Sequence, residues 1–358
     1  MIKIKKINFL NKYLKNKKKN KILFFLDKNI KKFCFNYLIN KIKIFKKKKI
    51  KIIKIPSGEK YKNLKICIKV WKILIKKKFS KKDFLINLGG GVITDLGGFI
   101  GNLYKRGLNI INIPTTLLGM VDASIGGKTG INFKNLKNEI GLIKEPKMTL
   151  IDINFLKTLS KKEFFSGFGE IIKYGLIYSL KYWNFLKKIN FKFFKKKWKK
   201  IIYKAIKIKK KIVKKDPEEK LGKRKILNFG HTIGHALESF FLYKKKPITH
   251  GKAIVFGILC ETWISTKILK FEKKKFKEIY KFILKNYSLK PIKKKYFKII
   301  IYFIKNDKKN YNNEINMVLL KKIGFSTYDN KIKKNLIIKS LKKMNYLLKK
   351  NKNEKYKK

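Results

Sequence analysis

All three histidines of this chain, His231, His235 and His250, lie within one short window of the sequence. His231 and His235 are four positions apart, so they would share one face of a helix. Histidine pairs with this spacing recur in metal sites, but an ordinary packed or solvated pair has the same spacing. His250 stands in Ile-Thr-His-Gly, at the expected start of another helix, and offers a further nitrogen. The window therefore predicts a metal site and leaves open which histidines bind the ion.

A carboxylate that could complete such a site stands in the segment GEIIKYG. Glu170 lies there on an otherwise apolar helical face, with Lys173 one turn away. Two imidazoles and a carboxylate leave one position of a tetrahedral zinc ion free for substrate. The combination predicts an open, catalytic metal site.

A glycine-rich turn follows an apolar segment in FLINLGGGVITD. Glycines at 89–91 would let backbone N–H groups approach a pyrophosphate, with the positive end of the following helix facing the charge. Thr94 stands where the last glycine of the dinucleotide fingerprint would be, so an ordinary tight strand-to-helix turn is the alternative.

The interval from Leu108 to Gly127 contains no lysine, although lysine fills most tolerant positions of this chain. It carries hydroxyls at Thr115 and Thr116 and a carboxylate at Asp122. The interval predicts burial or the close approach of a ligand, and a buried strand with a polar turn is the alternative.

Arginine is rare in this chain. Among the 95 basic residues, only Arg106 and Arg224 are arginine. Lysine replaces arginine freely where only positive charge matters, so the two that remain are expected where a planar bidentate donor is needed. Both neighbour the segments above, as contacts to a substrate carboxylate or phosphate would. The alternative is that these two arginines remain by chance and have no special role.

The formal net charge of +74 would ordinarily point to nucleic acid. Here the lysines are spread along the whole chain, and no paired CxxC or RNP aromatic motif accompanies them, so a solvated lysine coat is the better interpretation. Three cysteines far apart predict no disulfide framework and a reducing compartment, the cytoplasm. No export signal is expected, and the glycines and Asp95 in 84–104 favour strand, loop and helix over a membrane span.

Apolar runs separated by lysine-rich helical patterns predict an α/β fold with a parallel sheet in the first half. The runs are Ile22–Leu26, Ile50–Ile55, Phe84–Leu88 and Ile110–Ile113. From about residue 160 the pattern becomes mostly α-helical, with expected helical segments at Ser179–Val213, Gly251–Leu269 and Lys273–Lys285. Ser160 and Glu163 fit a capping box at the start of the second half. We therefore predict an N-terminal α/β domain over 1–160 and a mostly α-helical domain over 161–358.

Eight motifs occur in a fixed order: GGGVITDLGGF, YKRG, IPTTLLGMVDASIGGKTGIN, LKNEIG, FLKTL, SGFGEIIKYG, LNFGHTIGHALES and THGKA. Together they resemble those of the 3-dehydroquinate synthase family of sugar phosphate cyclases, from about Asp27 to Gly324. The resemblance implies a Rossmann-like NAD-binding domain followed by a helical metal-binding domain, and a homodimer in the cytoplasm. It implies NAD and Zn²⁺ or Co²⁺ as cofactors and a small-molecule sugar phosphate as substrate. From the spread of the lysines and the character of 84–104, we expect no nucleic acid and no membrane as partners.

The resemblance also assigns residues. The implied metal ligands are Glu170, His231 and His250. The implied NAD contacts are Asp27, Gly58, Glu59, Lys62, Gly91, Val92, Ile93, Thr94, Asp95, Thr115, Thr116, Lys128, Lys137, Phe155, Leu156, Lys157 and Thr158. The implied catalytic and substrate contacts are Asp122, Lys128, Asn138, Lys173, Arg224, Asn228 and His235, with Arg106 reaching the phosphate across the dimer.

Some segments depart from the family pattern. The segment before Arg224 is one residue longer, so Lys209 and Glu219 match two further active-site residues only to within one position. Either Lys308 or Lys309 matches a further substrate-binding lysine. The loop at Asn135–Lys137 lacks the usual glycine.

The implied activity is the cyclisation of 3-deoxy-D-arabino-heptulosonate 7-phosphate to 3-dehydroquinate and phosphate in the shikimate pathway, with NAD used catalytically. Sister cyclases that make inosose or valiolone products share most of the motifs. Polyol and glycerol-phosphate dehydrogenases share the two-domain plan, but they would form NADH stoichiometrically. A basic nucleic-acid-binding protein is the alternative of a different class.

Overall fold

A computed structural model describes the chain except residues 16, 18–19, 31–33, 43–49, 135, 190–193, 307–313 and 357–358. The described residues form two compact units. The first comprises Met1–Phe164 with Lys195–Lys210, and the second comprises Phe165–Phe194 with Lys211–Lys358. In the described part of the chain, no helix combines the length and the apolar character needed to cross a lipid bilayer.

The strands, in chain order, are β1 (Ile2–Ile4), β2 (Ile22–Asp27), β3 (Ile50–Ile55), β4 (Phe84–Gly89), β5 (Asn109–Pro114), β6 (Lys128–Phe133), β7 (Leu136–Ile143), β8 (Met148–Ile151), β9 (Asn316–Lys322) and β10 (Phe325–Lys331).

The α-helices are α1 (Phe9–Leu14), α2 (Lys28–Ile30), α3 (Asn36–Lys41), α4 (Leu64–Lys76), α5 (Gly91–Leu103), α6 (Lys161–Tyr178), α7 (Leu180–Lys187), α8 (Phe194–Lys214), α9 (His231–Tyr243), α10 (His250–Ile268), α11 (Lys273–Asn286), α12 (Phe297–Lys305) and α13 (Lys334–Tyr356). Turns of 3₁₀ helix lie at Glu59–Tyr61, Tyr104–Arg106, Ile153–Thr158, Lys223–Asn228 and Lys294–Tyr296, and a π-helical turn lies at Gly119–Ala123.

The first unit is built on a six-stranded parallel sheet with the order β1-β8-β5-β4-β2-β3. The four strands predicted from apolar runs are present as β2, β3, β4 and β5. All of β4 is buried, because strands in the middle of a parallel sheet are covered on both faces. The prediction of a parallel sheet is confirmed.

The carboxyl ends of the central strands place the glycine-rich motif. β4 ends at Gly89, α5 begins at Gly91, and the N–H of Thr115, just after β5, donates to the carbonyl oxygen of Gly89 at 3.0 Å. The predicted sequence of strand, glycine turn and helix is confirmed here. Ligands bind such sheets in the crevice outside the carboxyl ends of the strands, so this edge positions any nucleotide site.

The second unit is mostly helical, as predicted. α10 and α11 match the predicted segments at their starts and ends to within one residue, and Ser179–Val213 divides into α7 and α8 instead of one helix. The antiparallel pair β9–β10 was not predicted. One of the two hydrogen bonds of the predicted capping box is present, since the N–H of Glu163 donates to Ser160 Oγ at 3.3 Å, and α6 begins at Lys161.

Candidate functional site

Three side chains of the second unit converge on one point. Glu170 lies on α6 and is fully buried, while His231 and His250 are the first residues of α9 and α10. Glu170 Oε1 lies 3.4 Å from His231 Nε2 and 3.3 Å from His250 Nε2. The three ligand atoms lie within 4.8 Å of one another, so residues far apart in the sequence form one cluster.

The orientation of the two imidazoles favours a cation between them. His231 Nδ1 lies 3.1 Å from the carbonyl oxygen of Phe229, and His250 Nδ1 lies 3.0 Å from Glu238 Oε2. A neutral ring that donates from Nδ1 has only a lone pair at Nε2. With both rings neutral, two such lone pairs would face the oxygen of Glu170, which is also an acceptor. A bound cation relieves this repulsion, and an acceptor behind each ring is the usual second layer of a metal site.

The spacing of the cluster fits a tetrahedral ion. Ligand atoms about 2.0–2.2 Å from a tetrahedral zinc ion lie roughly 3.3–3.5 Å apart, which is the separation of Glu170 Oε1 from both nitrogens. A carboxylate and two imidazoles suit Zn²⁺ or Co²⁺ and leave a position for substrate. The residues present therefore fit the metal ion that the sequence predicted.

A second group of ligand atoms is formed by His235, Glu238 and His250. It shares His250 with the first group and uses the same region of α9, where the His235 ring centroid lies 5.0 Å from that of His231. The group with Glu170 is the more buried of the two, and there Nε2 of both histidines faces one oxygen. We therefore take Glu170, His231 and His250 as the candidate metal centre, with His235 beside it.

Two basic side chains balance the negative charge of Glu170, one at each carboxylate oxygen. The Lys173 ammonium forms an ion pair with Glu170 Oε2, and both side chains are buried. Burial alone would lower the pKa of His250, but the charges of Glu238 and Glu170 outweigh it and raise this pKa to about 10. In the metal-free chain a proton on His250 therefore partly takes the place of the cation.

The first unit holds two buried hydroxyls at the carboxyl ends of its strands. Ser57 Oγ follows β3 and Thr115 Oγ1 follows β5, and neither has a hydrogen-bond partner among the described residues. Buried polar atoms without partners are uncommon in folded proteins and point to a bound group that completes them. Both lie in motifs expected to bind NAD, and Gly90 and Gly91 stand between them at the start of α5. These residues fit a dinucleotide.

Three of the expected cofactor and substrate residues form one polar cluster in this unit. Lys62 is 3% exposed, and its ammonium pairs with Asp95 Oδ2 at 2.6 Å and also donates to Asn138 Oδ1. Asn138 has a φ of 52°, in the left-handed region, and its N–H donates to Asn132 Oδ1 at 2.9 Å. The cluster ties the hairpin β6–β7 to the residues after Gly58.

Another cluster of the first unit joins Asp122 and Lys209. The ammonium of Lys209, which is nearly buried on α8, donates to Asp122 Oδ1 at 2.6 Å and to the backbone oxygen of the same residue at 2.7 Å. The sequence matched Lys209 to an active-site residue only to within one position, and the contact with Asp122 favours Lys209 itself.

The remaining expected residues are dispersed within their units. Asp27 ends β2, and its Oδ1 accepts from the N–H of Ile30 at 3.0 Å. Arg224 is buried and donates from Nη1 to the carbonyl oxygen of Pro217 at 2.9 Å. Val92, Ile93 and Thr94 lie at the start of α5. The turns of 3₁₀ helix contain Arg106, Phe155, Leu156, Lys157, Thr158 and Asn228. Lys128 on β6 and Lys137 on β7 are exposed. Thr116 Oγ1 accepts from the N–H of Gly119 at 3.0 Å. Lys308, Lys309 and Asn135 lie outside the described residues.

Sequence reasoning missed two glutamates of the metal region, Glu238 and Glu261. Glu238 accepts from His250, and Glu261 accepts from backbone N–H groups on either side of His231. The sequence did contain a sign that Glu238 belongs to the site. It stands two helical turns after His231, in an interval from Ile226 to Tyr243 that contains no lysine. Glu261 had none, since its contacts depend on how α10 packs against α9.

Family models match most of the chain. The model of the 3-dehydroquinate synthase N-terminal domain matches residues 52–166, and that of the C-terminal domain matches residues 167–310. A 3-dehydroquinate synthase of Parabacteroides distasonis is 37% identical over 337 residues, which cover 93% of this chain and 93% of that protein. A 3-dehydroquinate synthase of Pelagibacter ubique is 41% identical over 329 residues, covering 89% of this chain and 88% of that protein.

Solved structures share the fold. A 2-epi-5-epi-valiolone synthase of Streptomyces hygroscopicus, with NAD⁺ and Zn²⁺ bound, gives a TM-score of 0.85 at 21% identity and covers 98% of this chain and 97% of that one. A 2-deoxy-scyllo-inosose synthase with carbaglucose-6-phosphate, NAD⁺ and Co²⁺ gives 0.81 at 21% identity, covering 96% of this chain and 95% of that one. With both family models matched and relatives similar over nearly the full length, the chain belongs to the 3-dehydroquinate synthase family.

Proposed function

We propose that this chain catalyses the reaction of its family, the conversion of 3-deoxy-D-arabino-heptulosonate 7-phosphate to 3-dehydroquinate and phosphate in the shikimate pathway. It is a phosphate-eliminating lyase that uses NAD and a divalent metal ion, Zn²⁺ or Co²⁺. The observation that carries the proposal is the cluster of Glu170, His231 and His250, in which Nε2 of both histidines faces one carboxylate oxygen at 3.3–3.4 Å.

Glu170, His231 and His250 would hold the metal ion. When bound, the ion acts as a Lewis acid that polarises vicinal hydroxyls of the substrate. Lys173 stabilises the negative charge of Glu170 from the other oxygen, because its ammonium is buried in contact with Oε2. His235 stands beside the cluster with its ring 6.1 Å from that of His250, where it can contact substrate and relay a proton without being a ligand.

The first unit would hold NAD at the carboxyl edge of its sheet. Bound NAD would supply reversible hydride transfer within one catalytic cycle, with no net redox change. The backbone at Gly91–Asp95 would bind the pyrophosphate, and Thr115 would contribute a buried hydroxyl that lacks a partner among the described residues. The other assigned contacts are Asp27, Gly58, Glu59, Lys62, Thr116, Lys128, Lys137 and Phe155–Thr158.

The substrate would be bound by cationic and amide side chains. Lysine and arginine donors suit its phosphate and carboxylate, since charge-assisted hydrogen bonds to these groups are the strong ones. Holding the flexible intermediate in one shape favours closure of the ring. The assigned residues are Asp122, Lys128, Asn138, Lys173, Lys209, Glu219, Arg224, Asn228 and one of Lys308 and Lys309.

The proposal extends to the assembly and the compartment. We infer a homodimer in which Arg106 of the partner subunit reaches the substrate phosphate, and we infer the cytoplasm as the compartment. The functional division is an NAD-binding domain over 1–160 and a metal- and substrate-binding domain over 161–358.

The decisive experiment measures phosphate released per NAD added. The purified chain is incubated with the heptulosonate phosphate, Zn²⁺ and a substoichiometric amount of NAD. We expect many equivalents of phosphate per NAD and no accumulation of NADH. Release of one equivalent with stoichiometric NADH would instead identify a dehydrogenase, and turnover only with other sugar phosphates would identify a sister cyclase of the valiolone or inosose type.

A further inference from the structure

Each of the two helices that supply a candidate histidine ligand begins at that histidine. His231 is the first residue of α9 and His250 is the first residue of α10. The first N–H groups of a helix have no acceptor within the helix, and side chains usually supply one. Neither Gly230 nor Thr249, the residues that precede these helices, caps its helix with a side chain. The position of each imidazole therefore depends on groups from elsewhere.

Glu261, on α10, holds the start of α9. It is 0% exposed, and its carboxylate accepts from the N–H of Gly230 at 2.6 Å and from the N–H of Ile233 at 3.3 Å. These N–H groups lie on either side of His231. A carboxylate is favourable at the positive end of a helix, and its burial requires such hydrogen bonds.

The two helices approach closely enough for this contact because glycines lie at their crossing. A Cβ atom on Gly257 would lie 2.0 Å from the carbonyl oxygen of Gly230, and one on Gly230 would lie 2.6 Å from Ile258 Cγ1. Gly230 also has a φ of 79°, which L side chains rarely adopt. The start of α9 is therefore fixed against α10 at the level of Glu261.

Glu238, on α9, holds His250 in return. Its Oε2 lies 3.0 Å from His250 Nδ1, and the opposite ring nitrogen, Nε2, faces Glu170 Oε1 at 3.3 Å. An acceptor at one nitrogen of a histidine fixes the tautomer and the ring plane, so that the other nitrogen is presented to the metal.

We propose that Glu238 and Glu261 are a reciprocal pair of positioning residues: each lies on one of the two helices and fixes the histidine that begins the other. The pair rests on the proposed function, since it takes His231 and His250 as metal ligands. Neither glutamate needs to touch the ion. Their removal lowers the affinity for the ion because the imidazoles are then no longer held in the ligand geometry before it binds.

The test compares Glu238→Gln and Glu261→Gln with the wild-type full chain. Zinc affinity is measured by competition with a chelator, the ions per chain by elemental analysis, and the site geometry by the visible absorption of the Co²⁺-loaded protein. Glu278→Gln is the matched control, because Glu278 accepts from Trp183 Nε1 at 2.7 Å and pairs with Lys187 at 2.9 Å in the same unit, and it belongs to neither group of possible ligand atoms.

We expect each variant to bind zinc about 10–100-fold more weakly, with one ion per chain at saturation and an altered Co²⁺ spectrum, whereas Glu278→Gln keeps the wild-type affinity. A folded Glu238→Gln chain with wild-type affinity would overturn the proposal. So would two ions per wild-type chain and one per Glu238→Gln chain, since Glu238 would then be a ligand in its group with His235. A wild-type chain that binds no ion would instead refute the proposed function.

A second measurement tests Glu261 without a variant, in case its substitution prevents folding. Hydrogen exchange in the peptide that covers residues 229–233 is followed in the metal-free wild-type chain. We expect slow exchange, because Glu261 accepts from two of these N–H groups before any ion binds. Exchange as fast as in an exposed loop would overturn the role of Glu261.

Discussion

The ammonium of Lys209 binds Asp122 at two atoms, the side-chain Oδ1 at 2.6 Å and the backbone oxygen at 2.7 Å. Asp122 lies in the π-helical turn that follows β5, and Lys209 lies on α8, so the contact joins segments that are distant in sequence. The lysine side chain is 9% exposed and the aspartate side chain is 26% exposed. Because the lysine side chain is shielded from water, the ion pair holds the turn in place and balances the charge of the Asp122 carboxylate.

We expect Lys209→Met to lower the midpoint of urea unfolding, since it removes a largely buried ammonium from a half-buried carboxylate. A double-mutant cycle with Asp122→Asn should give a coupling free energy of roughly 0.5–3 kcal/mol. Lys210→Met, at the exposed next position of α8, is the control and should change stability by less than about 0.5 kcal/mol. A coupling free energy near zero would mean that the contact does not contribute to folding.

A second prediction concerns Lys173, whose ammonium is buried against Glu170. Lys173→Met leaves the carboxylate of Glu170 buried with less positive charge around it, and breaking such a pair typically costs about 3–5 kcal/mol. Bound zinc supplies part of the missing charge. We therefore expect the melting temperature to fall more in EDTA than in saturating zinc.

The control for this comparison is Lys181→Met, because Lys181 is exposed at the start of α7. It should shift the melting temperature little and equally in both conditions. An equal fall for Lys173→Met with and without zinc would show that Lys173 does not balance the charge of Glu170.

The central strands could be predicted from the sequence because their own residues determine their environment. β2 and β4 are apolar throughout, as strands covered on both faces must be. β1 escaped prediction because it has three residues, IKI, and its partner β8 is far along the chain. β10 escaped because FSTYDNK is mostly polar and exposed, so its pairing with β9 is not visible as an apolar pattern.

The site could be predicted only where spacing along one helix carried the information. The spacing of His231 and His235 predicted a shared helical face, and α9 confirms it. The sequence offered Glu170 as a candidate carboxylate because it stands on an otherwise apolar helical face, and the resemblance then assigned it as a ligand. Its distance from the histidines could not be predicted, because it depends on how three helices pack together. Glu261 could not be found at all, since its partners are backbone N–H groups, which have the same chemistry in every residue.

A third prediction follows from the raised pKa of His250. Burial would lower this pKa, but the charges of Glu238 and Glu170 outweigh burial and raise it to about 10, so the ring carries a proton in the metal-free chain at pH 7. Metal ligands bind in their deprotonated form. We expect zinc binding to release this proton, and zinc affinity to rise with pH until about pH 10.

Calorimetric titration with zinc in two buffers of different ionisation enthalpy measures the released proton. Glu238→Gln should release less, because it removes the largest charge that raises the pKa. In the metal-free chain, the proton on His250 also contributes to folding stability. This contribution is complete below the ordinary histidine pKa of 6.5 and is lost as the pH rises through the raised pKa of about 10. A binding heat that is identical in both buffers would contradict a protonated His250.

The last prediction separates the two groups of ligand atoms that share His250. His231 Nε2 faces Glu170 Oε1 at 3.4 Å, whereas His235 belongs to the group with Glu238. We expect His231→Ala to abolish turnover and to lower zinc occupancy, because it removes one of three ligands. His235→Ala should impair turnover and keep the metal, measured by elemental analysis after dialysis. If both variants lost zinc equally, the ion would have to lie where His235 can also reach it, and the assignment of Glu170 as the carboxylate ligand would fail with it.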